Sequence, residues 1–370
     1  MERITGYATR VGTDRYRNRM IPLTHSLFYR EAQDLWFSSL GMGTYLGTPD
    51  VSTDVRYAET LLQGVQRGCN VLDTALNYRF QHSEKTVGKT LRLLLEKGFC
   101  QRDELVISTK GGFLSVQQGQ EDYLDYFRKY YVDRGLASMD DLVMGCHCLA
   151  PDFIFSELEQ SLDNLGLKTI DVYFIHNPET QLESVEPELL YERLSRLFTC
   201  MEDWVRAGKL RYYGISTWKG LRVEPEETEF LDLSRILNIA REAGGEAHHF
   251  RALQFPYNMA MTESWLELNQ QYQGEPATVF SIAASEEMIT YASAPLLQGD
   301  LIGDMPDHLA SAFESLERPA QKALQFTRSV PGLSSCLVGM SHLSHLNENL
   351  AISKLPPLSP DEYQGLLGIL

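Results

Sequence analysis

Residues 158–178, LEQSLDNLGLKTIDVYFIHNP, carry the pattern that predicts the fold. Apolar residues at helical spacing come first, and a short apolar run, DVYFI (171–175), follows and leads into the polar residue His176. The first part is typical of an amphipathic helix, and the second is typical of a strand buried in a parallel sheet. A turn at Pro178 then leads to another stretch with helical spacing, at 188–207. The pattern therefore indicates alternating strands and helices.

The unit of strand, turn and helix recurs eight times along the chain. Strands are predicted at 40–44, 70–73, 105–109, 171–175, 211–215, 251–254, 288–292 and 335–339. Helices are predicted at 54–67, 84–97, 153–165, 188–207, 228–243, 279–287, 308–328 and 343–353. Eight such units predict an α/β fold of the (βα)8 TIM barrel type, with parallel strands covered by helices. An open doubly wound sheet is the alternative, but no strand here is followed by the GxGxxG turn that normally opens such a sheet.

No linker rich in Ser, Gly or Pro divides the chain, so residues 1–370 are predicted to form a single domain. Residues 1–39 are expected to form an N-terminal hairpin or cap that closes the bottom of the barrel. Residues 111–151 form a long insertion after strand 3, at the face where barrel enzymes hold their active sites. A helix is expected within this insertion, where aromatic rings on one side either wall a substrate pocket or simply pack: Tyr123, Phe127 and Tyr130.

Composition and charge exclude several classes of protein. The chain has 50 Asp and Glu against 33 Lys and Arg, a net charge of −17, which argues against a broad nucleic-acid surface. It contains no apolar run long enough to cross a membrane, and its first residues are charged throughout, so we expect a cytoplasmic protein without membrane contact. Cys146 and Cys148 flank His147, but this spacing suits zinc poorly and no second ligand pair accompanies it, so no metal site is predicted.

Polar side chains stand at or near the ends of five predicted strands. In a barrel these side chains converge on one mouth, and a tyrosine in the loop after strand 2 can lean over it. Each residue alone has a structural explanation, such as a turn cap or a solvated strand end, but together they are harder to explain in that way. The residues are Asp73, Tyr78, Lys110, His176, Ser216 and Gln254.

This set of side chains suits proton transfer without a nucleophile or a metal. The ammonium of Lys110 is expected to lower the pKa of Tyr78, and Asp73 supplies the counter-charge that keeps a buried lysine ionised. A neutral His176 can donate a hydrogen bond to an oxygen that lies between it and Tyr78. These roles fit reversible carbonyl reduction, for which a nicotinamide cofactor must supply the hydride because no side chain can.

At these residues the sequence resembles the aldo-keto reductase superfamily, and the match spans nearly all of the chain from Leu40 to Asn349. The pieces that carry the resemblance are LGMGTYLG (40–47), LDTALNY and SEKTVGKTL (72–91), VISTKGG (106–112), LEQSLDNLGLKTIDVYFIHNP (158–178), GIST (214–217), LQFPYN (253–258), SAPLLQGDL (293–301) and VGMSHLSHLNENL (338–350). The resemblance implies a (βα)8 barrel that reduces an aldehyde or ketone, sugar-like carbonyls included, with NADP(H) or, alternatively, NAD(H). It also implies that Tyr78 is the general acid and base, Lys110 lowers its pKa, Asp73 holds Lys110, and His176 orients the carbonyl oxygen.

The resemblance further implies which residues bind the cofactor. They are Gly43, Thr44, Tyr45, Asp73, Ser216, Gln254, Leu296, Gln298, Gly299, Leu301, Gly339, Met340, Ser341, His345, Glu348 and Asn349. Three departures from the family pattern leave the choice between NADP and NAD open. Ser293 stands where many members stack an aromatic ring, Thr217 replaces an asparagine, and Gly339 and His345 stand where members often carry Lys and Arg for the 2′-phosphate.

Several alternatives remain open at the level of sequence. Ser83 is a candidate N-cap with Glu84 in the first turn of its helix, although the family pattern would also let Glu84 support Asp73 or Lys110. Ser359 is expected to cap a C-terminal helix that either covers the barrel or lines the pocket. The protein could be a nicotinamide-binding regulatory module with little turnover, or a barrel aldolase that uses Lys110 as a Schiff-base nucleophile. No feature of the sequence identifies the carbonyl substrate or the oligomeric state.

Overall fold

A computed structural model of the chain describes residues 2–116, 118–119, 122–303, 305, 313 and 316–368. Eight parallel strands close into a barrel in the order β6-β7-β8-β1-β2-β3-β4-β5. The strands are β1 Leu40–Gly43, β2 Val71–Asp73, β3 Val106–Gly111, β4 Ile170–His176, β5 Leu210–Ser216, β6 Phe250–Pro256, β7 Ile289–Ser293 and β8 Ser335–Gly339. The predicted (βα)8 barrel is therefore confirmed, and each predicted strand overlaps an observed one.

Eight helices follow the strands and cover the barrel. They are α1 Val51–Gln66, α2 His82–Glu96, α3 Pro151–Leu165, α4 Pro187–Arg206, α5 Leu233–Gly244, α6 Val279–Ser285, α7 Pro319–Ser329 and α8 Leu343–Leu350. Proline opens α3, α4 and α7, where its missing N–H breaks no helical hydrogen bond. The helix predicted at 228–243 begins later, because Asp232 caps it by accepting from the N–H of Arg235. Of the helix predicted at 308–328, residues 308–312 and 314–315 lie outside the described residues.

Shorter elements connect the units of the barrel. The short α-helices are Arg10–Met20, Tyr123–Phe127, Glu263–Leu266, Asp300–Gly303 and Pro360–Leu367. Single turns of 3-10 helix occur at Ser26–Phe28, Arg102–Glu104, Met139–Asp141, Pro178–Glu183, Leu297–Gly299 and Ala351–Lys354, and a π-helical turn occurs at Arg128–Val132. Antiparallel pairs join Tyr29–Ala32 to Leu35–Ser38, Leu142–Val143 to His147–Cys148, and Gln270–Tyr272 to Glu275–Ala277. Among the described residues, no helix is both long and apolar enough to cross a membrane.

The N-terminal segment packs against the barrel at the amino ends of its strands. Leu35 and Phe37 of its hairpin are buried together with Val71 and Val106, the first residues of β2 and β3. The Phe37 ring also meets the ring of Tyr291 inside the barrel, with centroids 6.2 Å apart. This apolar cluster fills the lower barrel, which leaves the carboxyl ends of the strands as the open face.

A buried carboxylate ties the N-terminal segment to the barrel wall. Asp171 on β4 accepts hydrogen bonds from the backbone N–H of Ala8 at 2.6 Å and from that of Ile107 at 2.8 Å. It also forms a buried ion pair with Arg102 at 2.7 Å. One side chain therefore satisfies groups from the cap, from β3 and from the turn that precedes β3.

The insertion of residues 111–151 is ordered largely by aromatic packing, although Gln117, Gln120 and Glu121 lie outside the described residues. Phe127 is fully buried, and its ring centroid lies 5.6 Å from that of Tyr131 and 6.0 Å from that of Phe153. Tyr123 and Tyr130 are 43% and 41% exposed. Phe127 is therefore buried in the core, whereas Tyr123 and Tyr130 are exposed to solvent. Of the two expected roles, Phe127 has the packing role.

The C-terminal helix packs onto the barrel. Ser359 caps it in a reciprocal arrangement with Glu362, as the sequence predicts for the cap. The hydroxyl of Tyr363, which is buried, lies 2.6 Å from that of Tyr257 just beyond β6. Leu370 and the residue before it lie outside the described residues.

Replacing the buried carboxylate should destabilise the fold strongly. In Asp171→Asn the carboxylate is replaced by an amide, whose N–H₂ group faces N–H donors that the carboxylate accepted from. Arg102 also loses its ion-pair partner. We expect the free energy of unfolding in urea to fall by about 3–5 kcal/mol. The matched control is Asp34→Asn, which breaks the exposed pair with Arg10 and should cost no more than about 1 kcal/mol. Equal effects of the two substitutions would contradict this role of Asp171.

Candidate active site

A buried ion pair lies at the centre of the open face. Nζ of Lys110 on β3 lies 2.6 Å from Oδ2 of Asp73 at the end of β2. It also donates to the backbone carbonyl of Thr74 at 2.8 Å, while Ser108 donates to Oδ1 of Asp73 at 2.7 Å. Asp73 and Lys110 are 3% and 1% exposed. Because each charged group has its partner and further hydrogen bonds, the pair can stay ionised without water.

The tyrosine of the predicted site lies against this pair. Nζ of Lys110 lies 4.9 Å from the centroid of the Tyr78 ring. Burial lowers the pKa of Lys110, but the charges of Asp73 and Tyr78 outweigh burial, so the pKa is raised. A lysine of this kind stays an ammonium, which argues against the Schiff-base alternative, since that nucleophile needs a neutral amine.

The expected pKa of Tyr78 needs a correction. Burial raises the pKa of the Tyr78 hydroxyl above its usual value, and the positive charge of Lys110 lowers it only in part. The predicted effect of Lys110 on this pKa is therefore present, but the sequence pattern did not include the loss of solvent around the ring, which outweighs it. Tyr78 is therefore a neutral phenol at neutral pH and holds a proton that it can donate.

The loop that carries Tyr78 is fixed by strained backbone and by a second ion pair. Arg79, Phe80 and Gln81 have φ angles of 52°, 52° and 70°, in the left-handed region that residues other than glycine rarely adopt. Arg79 donates to Asp54 of α1 at 2.5 Å, which holds the loop against the neighbouring unit. Strain of this kind persists only where the surroundings enforce it, and it concentrates at functional sites.

The imidazole of His176 faces the same tyrosine. Its ring centroid lies 5.8 Å from that of Tyr78, with the planes at 74°. Burial lowers the pKa of His176 well below its usual value, and the charge of Lys110 adds to this, so the ring is neutral. Nδ1 is buried and has no hydrogen-bond partner among the described residues, so a ligand oxygen would have to be bound through Nε2. The structure thus brings together all four residues of the predicted tetrad.

Two neighbouring residues keep polar groups available beside the ion pair. Gln254 on β6 donates to Asp73 at 3.4 Å, and its Oε1 is buried without a partner. Ser216 at the end of β5 pairs in register with His176. Thr217, in contrast, is engaged, since its hydroxyl donates to Glu179 at 2.7 Å and accepts from the N–H of Gly220 at 2.8 Å. Thr217 therefore cannot replace the amide that the family pattern carries at this position.

The rim of the mouth is aromatic and partly exposed. Tyr45, after β1, is 57% exposed, and its ring lies 5.0 Å from that of Tyr78. Trp218, after β5, is 38% exposed. Thr44 lies below this rim and donates to the backbone carbonyl of Asp73 at 3.1 Å. Gly43, the last residue of β1, pairs with Asp73 across the sheet.

The remaining predicted cofactor residues lie after β7 and β8. The segment after β7 has left-handed backbone at Ala294, Leu297 and Gln298, and it contains Leu296, Gly299 and Leu301. Helix α8 begins after His342 without a side chain that caps its N–H groups, as an anion site requires. Gly339, Met340 and Ser341 lead into this helix, which carries exposed His345, half-buried Glu348 and buried Asn349.

The predicted N-cap role of Ser83 was wrong, whereas Glu84 lies in the first turn of its helix as predicted. Helix α2 begins at His82, with Gln81 at the N-cap in a left-handed conformation, so Ser83 lies inside the helix and donates instead to the carbonyl of Thr44 at 2.7 Å. Glu84 is fully buried and accepts from Thr109 at 2.6 Å and from Asn164 at 2.8 Å. It therefore links β3 to α3 through Thr109 and Asn164, and these hydrogen bonds do not go to Asp73 or Lys110.

The sequence reasoning missed Glu157, a buried acid behind the site. Oε2 of Glu157 on α3 accepts from the N–H of Gly112 at 2.8 Å, two residues beyond Lys110. Burial raises the pKa of Glu157 to about 8. The sequence does contain a sign that Glu157 is buried. Glu157 lies on the apolar face of its helix, next to Leu158 and four residues after Phe153.

The Cys146, His147 and Cys148 segment is not exposed on a loop. His147 is fully buried, and both of its ring nitrogens have protein partners. Within the described part of the chain, no group of three or more His, Cys, Asp or Glu could hold a metal ion.

Comparison with known proteins agrees with this barrel and its polar mouth. A model of the aldo/keto reductase family matches residues 39–290, which include Asp73, Tyr78, Lys110 and His176. The chain therefore belongs to the aldo/keto reductase family. The segments after β7 and β8 lie beyond the matched region, so their cofactor contacts rest on the resemblance of their motifs.

Individual relatives support the same assignment. An NADH-specific methylglyoxal reductase from Escherichia coli is 28% identical over 186 residues, which cover 49% of this chain and 48% of that protein. An aldo-keto reductase from Alternaria alternata is 29% identical over 179 residues, with coverage of 47% and 44%. The matches thus span about half the length of these curated relatives.

Solved structures extend the likeness to nearly the whole chain. An aldo/keto reductase from Klebsiella pneumoniae, in complex with NADP and acetate, superposes with a TM-score of 0.62 at 19% identity and covers 93% of this chain and 95% of its own. The holo form of an aldo-keto reductase from Bacillus halodurans gives 0.61 at 21%, with 93% and 96% covered. At these identities the likeness shows the fold.

Replacing the ionisable carboxyl of Glu157 should change how the free energy of unfolding depends on pH. The folded protein keeps this carboxyl protonated up to a pKa of about 8, whereas the unfolded chain ionises it above about 4.5. Wild type therefore loses stability as the pH rises through this window, and Glu157→Gln does not. Compared at pH 8.5 and pH 5, the variant should gain roughly 2–4 kcal/mol relative to wild type in urea unfolding.

The matched control lies two residues away on the same helix. Glu159 pairs with Arg3 and Lys209 at the surface, and although partial burial raises its pKa, these partners lower it further, so the pKa is lowered overall. Its stabilising effect is fully present above the unfolded pKa of about 4.5 and is lost only at lower pH, so the difference between Glu159→Gln and wild type should be the same at pH 5 and pH 8.5. A flat difference between wild type and Glu157→Gln across the window would disprove the protonated state.

Proposed function

We propose that the protein is an NAD(P)H-dependent oxidoreductase that reduces an aldehyde or a ketone to the alcohol. The observation that carries this proposal is the buried contact of Lys110 with both Asp73 and Tyr78, beside a neutral His176. Such a site holds a proton and can bind an oxygen, but it contains no activated nucleophile. The membership of the aldo/keto reductase family supports the same chemistry.

The residues around the ion pair fit a nicotinamide cofactor. Gln254 has a buried Oε1 that lacks a partner, which can accept from a carboxamide N–H₂, and Ser216 supplies a hydroxyl next to it. The N–H groups at the start of α8 are not capped by a side chain, so they can bind a phosphate. A bound nicotinamide would supply the hydride that no side chain can provide.

The proposed cofactor site comprises the residues that the family resemblance implied. It consists of Gly43, Thr44, Tyr45, Asp73, Ser216, Gln254, Leu296, Gln298, Gly299, Leu301, Gly339, Met340, Ser341, His345, Glu348 and Asn349. We favour NADP(H) because the family resemblance implies it. NAD(H) is the alternative because Gly339 and His345 provide no permanent positive charge for a 2′-phosphate. Relatives of both kinds are known, since one is named NADH-specific and one was solved with NADP.

Each member of the tetrad has a role in moving the proton. Tyr78 donates its hydroxyl proton to the carbonyl oxygen as negative charge develops there. His176 donates a hydrogen bond from Nε2 to the same oxygen and so fixes its position. Lys110 stabilises the tyrosinate that results, and Asp73 keeps Lys110 charged and in place.

The free thiols and the packing of both chain ends onto the barrel support proposals on the cellular compartment and on the number of domains. All six cysteines are free thiols, which suits a reducing compartment, so we place the protein in the cytoplasm. We also propose that residues 1–370 act as one domain, because the N-terminal cap and the C-terminal helix both pack onto the barrel. The partner is a small carbonyl compound.

Removing the hydroxyl of Tyr78 should abolish turnover without loss of the cofactor. With a panel of aldehydes, ketones and aldoses, wild type should oxidise NADPH or NADH, and Tyr78→Phe should lower kcat by about 10²–10⁴-fold because the general acid is missing. The dissociation constants of NADPH and NADH, measured by fluorescence titration, should stay within about threefold. The control Tyr123→Phe alters an exposed ring and should leave both quantities unchanged. Full activity of Tyr78→Phe, or tight binding without turnover in wild type, would reject the proposal.

The pH dependence should differ between the two directions of the reaction. The raised pKa of Tyr78 keeps its proton in place at alkaline pH, and the lowered pKa of His176 keeps its ring neutral at acidic pH. We expect kcat for reduction to stay level from about pH 6 to pH 9, whereas alcohol oxidation should accelerate with pH because it needs the tyrosinate. Cofactor affinity measured over the same range separates binding from chemistry. An acid limb near pH 6.5 in the reduction profile would contradict a neutral His176.

A further inference from the structure

We propose that His147 is a positioning residue that orients His176 through the peptide bond between His176 and Asn177. The inference rests on the proposed function in that His176 is taken to bind the carbonyl oxygen. His147 lies in the 111–151 insertion and does not face the reacting groups itself. It acts through a chain of hydrogen bonds that begins on helix α4.

The first step is the contact between the two histidines. Nε2 of His147 lies 2.8 Å from the backbone carbonyl oxygen of His176. On the other side of the same peptide unit, the N–H of Asn177 donates to the carbonyl of Ser216 at 2.6 Å. Because a peptide unit is planar and rigid, these two bonds fix its orientation and with it the direction in which His176 leaves the backbone.

The second step fixes the tautomer of His147. The guanidinium of Arg193 on α4 donates to Oε1 of Gln181, and since arginine can only donate, the orientation of the Gln181 amide is determined. Nε2 of Gln181 must then donate to Nδ1 of His147, at 2.7 Å. Nδ1 is therefore the bare nitrogen, and Nε2 carries the hydrogen that His176 accepts.

The third step shows that the ring is held in this state. His147 is fully buried, which lowers its pKa to about 4, so it stays neutral through the physiological range. The ring of Phe113 packs edge-on against both imidazoles, at 4.9 Å from His147 and 5.1 Å from His176. The charged groups that act on these rings are Arg193 on His147 and Lys110 on His176.

The backbone leaves room for this contact only because of a glycine. Gly112 follows β3 with a φ of 131°, and a Cβ there would lie 3.1 Å from Nε2 of His147 and 3.3 Å from the carbonyl oxygen of His176. Cys148 donates to the carbonyl of Gly112 at 2.9 Å, which holds the insertion against the end of β3. The insertion thus connects the strand that carries Lys110 with the strand that carries His176.

The test compares two replacements of His147 with a control in the same segment. His147→Phe keeps a ring and removes the donor, whereas His147→Gln keeps an N–H₂ at a similar reach. We expect His147→Phe to lower kcat by about 10- to 100-fold with the dissociation constant of NADPH within about threefold, because the oxygen-binding ring moves and the cofactor site does not. His147→Gln should restore most of the lost kcat. Cys146→Ala, which leaves both hydrogen-bond partners of the His147 ring unchanged, should leave kcat unchanged.

A merely structural role gives a different result. In that case both variants lower the melting temperature, while kcat per cofactor-binding site stays at the wild-type value. If His147→Phe does not fold, Gln181→Met provides the second variant, since it removes the donor that fixes the tautomer of His147. It should lower kcat as well, and unchanged kcat in a folded Gln181→Met would overturn the inference.

Nitrogen NMR of the histidine rings tests the inference independently of turnover. In wild type, His147 should show a protonated Nε2 and a bare Nδ1 that do not titrate between about pH 5 and pH 9. The ring signals of His176 should shift in His147→Phe and stay in place in Cys146→Ala. If wild type reduces no carbonyl compound, the proposed function is wrong. The ring signals of His147 and His176 still show in that case whether His147 orients His176. A protonated Nδ1 in His147, or unmoved His176 signals, would overturn it.

Discussion

The buried ion pair of Lys110 and Asp73 is the constraint on which the rest of the site depends. Burying either charge alone would cost several kcal/mol, so the two must stay together, and they come from adjacent strands whose register is therefore fixed. Ser108 and the carbonyl of Thr74 complete the hydrogen bonds that the pair needs. The ammonium held in this way lies against the ring of Tyr78.

The site is built as two layers around that pair. The inner layer consists of side chains at the strand ends, which the parallel arrangement brings to one face. The outer layer consists of buried polar groups that act on the backbone, such as Glu157 on Gly112 and His147 on His176. The outer layer positions the inner side chains, because each peptide unit is rigid. A hydrogen bond that holds the peptide unit therefore also sets the orientation of the side chain next to it.

The strand ends could be predicted from sequence alone, since short apolar runs lead into Asp73, Lys110 and His176. Parallel strands in a closed sheet must bring such residues together, so their convergence followed from the fold. What depends on burial could not be predicted in the same way. The pKa of Tyr78 is raised and not lowered, because the loss of solvent outweighs the nearby charge, and no local pattern records that balance.

Long-range partners were equally hidden from sequence patterns. Glu84 lies in the first turn of its helix as its spacing predicts, but it is buried there, and its hydrogen-bond partners lie on β3 and α3. The role of His147 could not be predicted from its neighbours in sequence, because its hydrogen-bond partners are His176 and Gln181, about thirty residues further on. The local spacing of apolar residues predicts which helix or strand a residue belongs to. Predicting a contact across the barrel also needs the register and tilt of every strand and helix between the two residues.

The N-terminal cap has a consequence for the order in which the protein assembles during synthesis. Leu35 and Phe37 are translated before every strand of the barrel, yet the surface that they fill includes Tyr291 on β7 and Leu337 on β8. These two apolar side chains therefore meet their packing partners only after β7 and β8 have been made, and transient contacts or a chaperone must shield them until then. The lower barrel can accordingly be filled only once its last two strands are present.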